Sequence, residues 1–205
     1  KKINKKFFYF YDFQAKNKYF NTYKSLKISY DIVKKFKFSG IITLPLSKEL
    51  IIKKIDNKFT GQTEFYQKLD LKKYSNMMFI NKDLIIVTLT NHIRLKNVIK
   101  ILSDPKRTYN KIKTINETLI NDFNIKEPQL IIAGVNPHAG ENGTIGNEEN
   151  LIIKPVIKKL NKNNIDITGP HSADSIINKK NKKKYDVFIF NYHDQALIPF
   201  KIISN

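Results

Sequence analysis

Short apolar runs alternate along this chain with segments whose apolar positions recur every three or four residues. The first pattern predicts buried strands and the second amphipathic helices. Tyr30, Ile32, Val33 and Phe36 are spaced for a helix over residues 30–37. Residues 40–46, bounded by Gly and Pro, predict a buried strand. Ser47 is placed to cap a helix with Leu50, Ile51 and Ile55 on one face. A helix is expected to begin near Thr63. Residues 77–80 and 84–89 predict two strands split by a turn at Asn81-Lys82-Asp83. Residues 95–102 predict a short helix and residues 105–123 a longer one, with Tyr109, Ile112, Ile115, Leu119 and Phe123 on its apolar stripe. The clearest strand, residues 129–135, stops at Asn136-Pro137.

A helix over residues 147–161 follows, capped by Asn147, favoured at its start by Glu148 and Glu149, and kinked at Pro155. Residues 165–168 predict a strand before Gly169-Pro170, Ser172 the start of a helix, and residues 186–190 a last strand. No helix is predicted to close the chain after that strand. Residues 7–13 have strand character, but residues 1–29 otherwise show no clear period. Strands alternating with helices predict a largely parallel α/β sheet.

Three of the four histidines lie at or just past the ends of predicted strands, in Thr90-Asn91-His92, Asn136-Pro137-His138-Ala139-Gly140 and Tyr192-His193-Asp194-Gln195. Side chains at strand ends in an α/β protein face the ligand crevice. Three neutral imidazoles there match the ligand set of one divalent metal with an open position for substrate. Asp194 is placed to orient a histidine. Gly134, Gly140, Gly143 and Gly146 surround His138, in a loop that leads into a helix N-terminus. The spacing is neither a dinucleotide fingerprint nor a P-loop. Residues 60–64, Thr-Gly-Gln-Thr-Glu, offer a hydroxyl, an amide and helix-start N–H groups to a phosphate or carboxylate; Thr63 is equally suited to be a cap. His171, with Ser172 and Asp174, fits a helix cap as well as chemistry.

Composition narrows the classes. The formal charge is +19, yet Arg94 and Arg107 are the only arginines and the lysines are spread along the chain. A nucleic-acid interface concentrates basic residues and favours arginine, so a basic nucleic-acid-binding domain is the weaker alternative. The run from Lys179 to Lys184 predicts a solvated loop. No run of eighteen apolar residues predicts a membrane span, and no signal peptide is expected. The absence of cysteine excludes disulfides and thiolate metal sites and suits a reducing, cytoplasmic compartment. The first residue is not Met and the last follows an apolar stretch, so a fragment lacking both termini is expected.

Taken together, Thr60-Gly61-Gln62-Thr63-Glu64-Phe65, Asn136-Pro137-His138-Ala139-Gly140-Glu141, Gly146 with Glu148-Glu149, Gly169-Pro170 with Ala173-Asp174, and Tyr192-His193-Asp194-Gln195 resemble the 4-hydroxythreonine-4-phosphate dehydrogenase family of vitamin B6 biosynthesis. The resemblance runs from about Gly40 to Lys201. It implies a two-lobed α/β fold like that of isocitrate and isopropylmalate dehydrogenases, with residues 30–130 belonging to one lobe and 131–205 to the other. It implies a homodimer in which the ligands of one metal come from both subunits.

By the same resemblance His92, His138 and His193 are metal ligands, Gln62, Thr63 and Lys201 contact substrate, and Lys201 and Asp174 are catalytic. The implied reaction is metal- and NAD(P)-dependent oxidation and decarboxylation of 4-phosphooxy-L-threonine to 3-amino-2-oxopropyl phosphate, in pyridoxal phosphate biosynthesis. Zinc is the expected ion, with magnesium or cobalt as alternatives. The family usually has His where Gln62 stands, which keeps open a sister dehydrogenase acting on a phospho-threonate or phospho-erythronate. The family's Gly- and Pro-rich opening phrase, and its Asn and Arg after the lysine, have no counterpart in the sequence.

Overall fold

The computed structural model describes residues 18–204. The chain divides into two compact units, Lys1–Ser75 and Asn76–Asn205.

The described part of the first unit is helical. Helix α1 (Lys18–Phe36) covers all but the last residue of the predicted segment and starts well before it. Helix α2 (Lys48–Lys54) is capped as expected, with the Ser47 hydroxyl accepting from Leu50 N–H. Helix α3 (Gln62–Leu69) begins after Gly61, so Thr63 lies inside the helix and is not its cap. Leu26, Ile51 and Phe59 form the core of this unit, with Tyr23 and Phe65 packed edge-on. The strand expected at residues 40–46 is absent. That stretch is irregular, with Ile42 98% and Leu44 81% exposed. The physical reason is partnership: the described part of this unit holds no other strand, and an isolated strand cannot satisfy its backbone groups. The strand expected over residues 7–13 lies outside the described residues.

The second unit is built on a five-stranded sheet. Strands β1 (Met77–Asn81) and β2 (Leu84–Thr88) form the predicted antiparallel hairpin. A 3₁₀ turn, Leu95–Asn97, and helices α4 (Val98–Leu102) and α5 (Pro105–Asn121) lead to β3 (Leu130–Ala133). A π-helical turn, Glu149–Ile153, and α6 (Lys154–Lys162) lead to β4 (Ile167–His171). Helix α7 (Lys179–Lys184) precedes β5 (Val187–Phe190), and α8 (His193–Ser204) follows it. The order is β1-β2-β5-β3-β4, and every pairing except β1 with β2 is parallel. Strand β5, last in sequence, thus slots between β2 and β3.

The central strands alternate strictly between two apolar layers, as a period of two requires. Val87, Leu130, Ile132, Val187 and Ile189 meet Ile112, Ile115 and Leu119 of α5 and Val156 and Leu160 of α6. Ile86, Ile131, Phe188 and Phe190 meet Ile176 and, from α8, Ala196 and Leu197. Covering on both faces explains why β3 and β5 read as unbroken apolar runs.

Several local expectations are corrected. Ser172 starts no helix; its hydroxyl donates to Asp174 across a turn. The lysine run forms α7 rather than a loop, because the Asn178 side chain accepts from Asn181 N–H and caps it. Asn147 is not a helix cap: the helical segment opens as a π turn, and the Asn147 side chain instead accepts from the Asn150 amide. Pro155 falls in the first turn of α6, where its missing N–H costs little, so it does not interrupt that helix. Strand β4 runs through Gly169-Pro170, whose peptide bond is cis, and tolerates the proline as an edge strand. The chain also runs into a helix, α8, after its last strand.

One charged side chain enters this core. Lys111 of α5 is 2% exposed, and its Nζ donates to the Leu89 carbonyl at 3.0 Å. Burial, aided by the nearby Arg107, lowers its pKa from 10.5 to about 8. Below pH 8 the cost of burying the charge is fully present. Between 8 and 10.5 the unfolded chain binds more protons than the folded one, so stability rises with pH. Urea denaturation across that window will show a smaller rise for Lys111→Met than for the parent; equal slopes would show that this lysine is not the titrating group.

Candidate active site at the carboxyl edge of the sheet

Parallel strands β2, β5 and β3 are neighbours, so the segments that leave their carboxyl ends emerge side by side. These segments carry His92, His193 and His138 respectively. This edge is where open α/β sheets bind ligands.

The edge is stitched by side-chain amides. Asn191, fully buried just past β5, donates from Nδ2 to Ala133 O of β3 at 2.8 Å. Its backbone carbonyl accepts from both Thr90 N–H and the Thr90 hydroxyl beyond β2. Gln195 in the first turn of α8 accepts from Asn191 N–H and donates to Gly134 O, each at 2.8 Å. Thr88 Oγ1 bonds to Asn91 Oδ1, holding the start of the His92 segment.

His92 and His193 stand together. Their ring centres are 5.4 Å apart and tilted by 46°. They line a cavity of about 270 Å³ with Thr90, Asn91, Tyr192 and Asp194. Asp194 Oδ1 lies 2.7 Å from His193 Nδ1. A carboxylate there favours the tautomer protonated on Nδ1, with the Nε2 lone pair available. Two imidazoles on one tetrahedral ion, with metal–nitrogen bonds of roughly 2.0–2.1 Å, have ring centres about 5 Å apart. The observed separation of ring centres is of that size.

His138 does not join them within this chain. It is not among the residues lining the cavity, and among the described residues no three His, Cys, Asp or Glu side chains gather to hold an ion. Asp174 lies near enough for its charge to be felt by His138, with no hydrogen bond or ion pair between the two. The Ser172 hydroxyl, donating at 2.7 Å, is the main cause holding the Asp174 carboxyl below its ordinary pKa, and attraction to His138 adds to this.

The backbone around His138 is unusual. Residues 138–142 all have positive φ, between 44° and 76°, and only one of them is glycine. Left-handed backbone costs an L-residue roughly 1–2 kcal/mol. The strained turn is backed by Glu149, which is 1% exposed. Its Oε1 accepts from Val135 N–H and Asn136 N–H, each at 2.7 Å, and its Oε2 accepts from Asn136 Nδ2 at 3.0 Å. Burial alone would raise the Glu149 pKa; the bonds from Asn136 and Val135 outweigh it and leave the carboxyl below its usual value. A Cβ on Gly140 would lie 2.5 Å from Glu149 Oε2, so only glycine fits there.

The other predicted residues lie elsewhere. Gln62 and Thr63 belong to the first unit, where they line a cavity of about 500 Å³ with Tyr30, Lys34, Thr43 and Tyr66. The Gln62 amide is already engaged, donating to Leu44 O at 3.0 Å and accepting from the Thr43 hydroxyl. Lys201 is exposed on α8, eight residues beyond His193, which is about 12 Å along a helix axis. His171 is exposed at the end of β4, and its carbonyl accepts from Gly134 N–H.

Asn191, Gln195, Glu149 and Lys111 were not legible as organisers of this site. Lys111 had one signal: it falls on the apolar stripe of α5, beside Ile112 and Ile115.

Comparison with known proteins agrees with the architecture. The family described as "Pyridoxal phosphate biosynthetic protein PdxA" matches residues 14–205. The chain is similar to a 4-hydroxythreonine-4-phosphate dehydrogenase of Zymomonas mobilis subsp. mobilis, 41% identical over 175 residues that cover 84% of this chain and 52% of the relative. It is 32% identical over 183 residues to a protein of Oceanobacillus iheyensis provisionally named D-threonate 4-phosphate dehydrogenase, covering 89% of this chain and 54% of the relative. The crystal structure of the Klebsiella pneumoniae 4-hydroxythreonine-4-phosphate dehydrogenase superposes with a TM-score of 0.81 at 28% identity, over 88% of this chain and 55% of that one. The chain spans about half the length of the curated relatives it matches.

Removing the Asn191 side chain breaks the tie between β5 and β3 and leaves Ala133 O without its donor. Asn191→Ala is expected to lower unfolding free energy by about 1–3 kcal/mol, measured by urea denaturation; a change indistinguishable from zero would show that the amide does not hold the edge together.

Proposed function

Because the chain belongs to the PdxA family, we propose that the whole protein oxidises and decarboxylates 4-phosphooxy-L-threonine, giving 3-amino-2-oxopropyl phosphate for pyridoxal phosphate synthesis. In this reading NAD or NADP accepts hydride, and the fold is completed as the two-lobed isocitrate dehydrogenase type. Two copies of the chain assemble as a cytoplasmic homodimer. A lobe boundary at residues 130/131, expected from sequence, would cut β3 and the single sheet, so it is not part of the proposal. The observation that carries the reading is the tilted imidazole pair of His92 and His193 at the carboxyl edge.

His92 and His193 hold a divalent ion, zinc by the preference of imidazole, and His138 is the third ligand. The set is completed between copies of the chain. When bound, the ion supplies Lewis acidity at the substrate oxygen that changes from hydroxyl to carbonyl. Asp194 keeps His193 in the tautomer that presents Nε2. Asp174, held below its usual pKa mainly by the Ser172 hydroxyl, supplies negative charge on the His138 side of the site.

When bound, the nicotinamide would supply the acceptor for the hydride of the secondary alcohol's C–H bond, while the hydroxyl proton would pass to a base. The β-keto acid then loses its carboxylate as carbon dioxide, and Lys201 returns a proton to the carbon left behind. Gln62 and Thr63 contact the substrate's anionic end through the start of α3. The hydride chemistry belongs to the cofactor, while the protein supplies orientation and charge.

A second reading differs only in substrate. Gln62 stands where the family usually has His, and a relative is named for D-threonate 4-phosphate. The full-length protein is expected to turn over 4-phosphooxy-L-threonine with the higher kcat/KM; preference for a phospho-threonate would transfer the assignment to the sister activity. In the same protein, His193→Ala should abolish metal-dependent turnover, and Asp194→Asn should weaken metal binding by roughly 10–100-fold. Undiminished turnover of His193→Ala with a chelator present would reject the metal mechanism.

A further inference from the structure

We infer that Glu149 is a positioning residue, whose buried carboxylate clamps the left-handed turn of residues 138–142 and so fixes where His138 stands. The inference rests on the reading of His138 as a metal ligand, but its geometry is independent of that reading.

A glutamate at the start of a helical segment ordinarily complements the helix dipole from the surface. Glu148, its neighbour, is only partly buried, whereas Glu149 is 1% exposed. Both of its oxygens are used. One takes the N–H groups of Val135 and Asn136, where the chain leaves β3. The other takes the Asn136 amide and fills the space a side chain at Gly140 would need. The carboxylate thus touches the turn on both sides of His138, at residues 135–136 and at residue 140.

Its own mount is rigid. Glu149 opens the π-helical turn whose last residue, Ile153, is packed in the core between sheet and helices. The turn, a 3₁₀-type segment over Pro137–Gly143, also has its own local backbone bonds and is joined to its flanks by Ala139 N–H to Asn136 O, Thr144 N–H to Glu141 O and Ile145 N–H to Gly140 O. None of these reaches outside residues 136–145, whereas Glu149 does. Consecutive left-handed residues hold one conformation only when their surroundings over-determine it. The Glu149 carboxylate is the charged, fully bonded group that does so here.

The test uses the full-length protein carrying Glu149→Gln, with Asn136→Ala as a milder second variant should the first fail to fold. Glutamine keeps the shape but turns one acceptor into an N–H donor facing backbone N–H groups. Amide hydrogen exchange at residues 135–142 is expected to quicken by about tenfold or more, with the strands of the sheet unchanged. Cobalt(II) affinity, titrated with the ion alone, is expected to fall by roughly 10–100-fold. Unchanged exchange at residues 135–142, or exchange that quickens equally throughout the sheet, would overturn the clamp. His138→Ala, titrated alongside, separates the two claims. If it leaves cobalt affinity intact, the ligand reading falls, and exchange at residues 135–142 alone decides the clamp.

Discussion

One buried amide governs the working edge of this protein. Asn191 sits just beyond β5, the strand that is last in sequence and central in space. From there its side-chain Nδ2 donates to Ala133 O at the end of β3, while its backbone carbonyl accepts from Thr90 beyond β2. Three strands distant in sequence thereby end in register. Each then releases a histidine-bearing segment on the same side of the sheet. Without that alignment, His92 and His193, separated by about a hundred residues of chain, would have no reason to meet. The apolar layers on both faces supply the bulk of the folding energy, whereas the amide ties fix where the strands stop. Energetically the second contribution is small beside the first; functionally it sets the geometry of the site.

The loop after β3 is built on a different principle. It holds four non-glycine residues in left-handed backbone, an arrangement no local preference favours. Its cost is offset by a buried, fully hydrogen-bonded carboxylate and by glycine at the point of closest approach. A flexible loop would place His138 statistically, whereas this one places it in a single position. The carboxyl edge therefore presents the His92–His193 pair and, separately, His138 on its own fixed turn, and they do not close into one ligand set among the described residues.

Most of the sheet was legible in the sequence, because strands covered on both faces must be uninterrupted apolar runs. Residues 129–135 and 186–190 have no other reading, and Asn81-Lys82-Asp83 marks the hairpin turn. Residues 40–46 looked like the same kind of strand, since local pattern carries no information about whether a partner strand exists. The lysine run looked like a loop because its charge outweighed the quiet signal of Asn178 as a cap. The phrases around the histidines marked the site, and their chemistry was readable. Its supports were not. Glu149 looks like an ordinary dipole partner until burial shows both of its oxygens engaged, and Lys111 is one lysine among many until α5 turns it inward. Contacts that act over distance in sequence leave no local trace.

The central claim is that His92 and His193 share one ion and that His138 completes its ligand set in the assembled protein. Anomalous diffraction from crystals of the full-length protein grown with zinc tests this directly. The account predicts a single peak at bonding distance from one ring nitrogen of each of His92 and His193, with a third imidazole, His138, on the same ion. A peak bound elsewhere, or an ion held without His92 and His193, would contradict it.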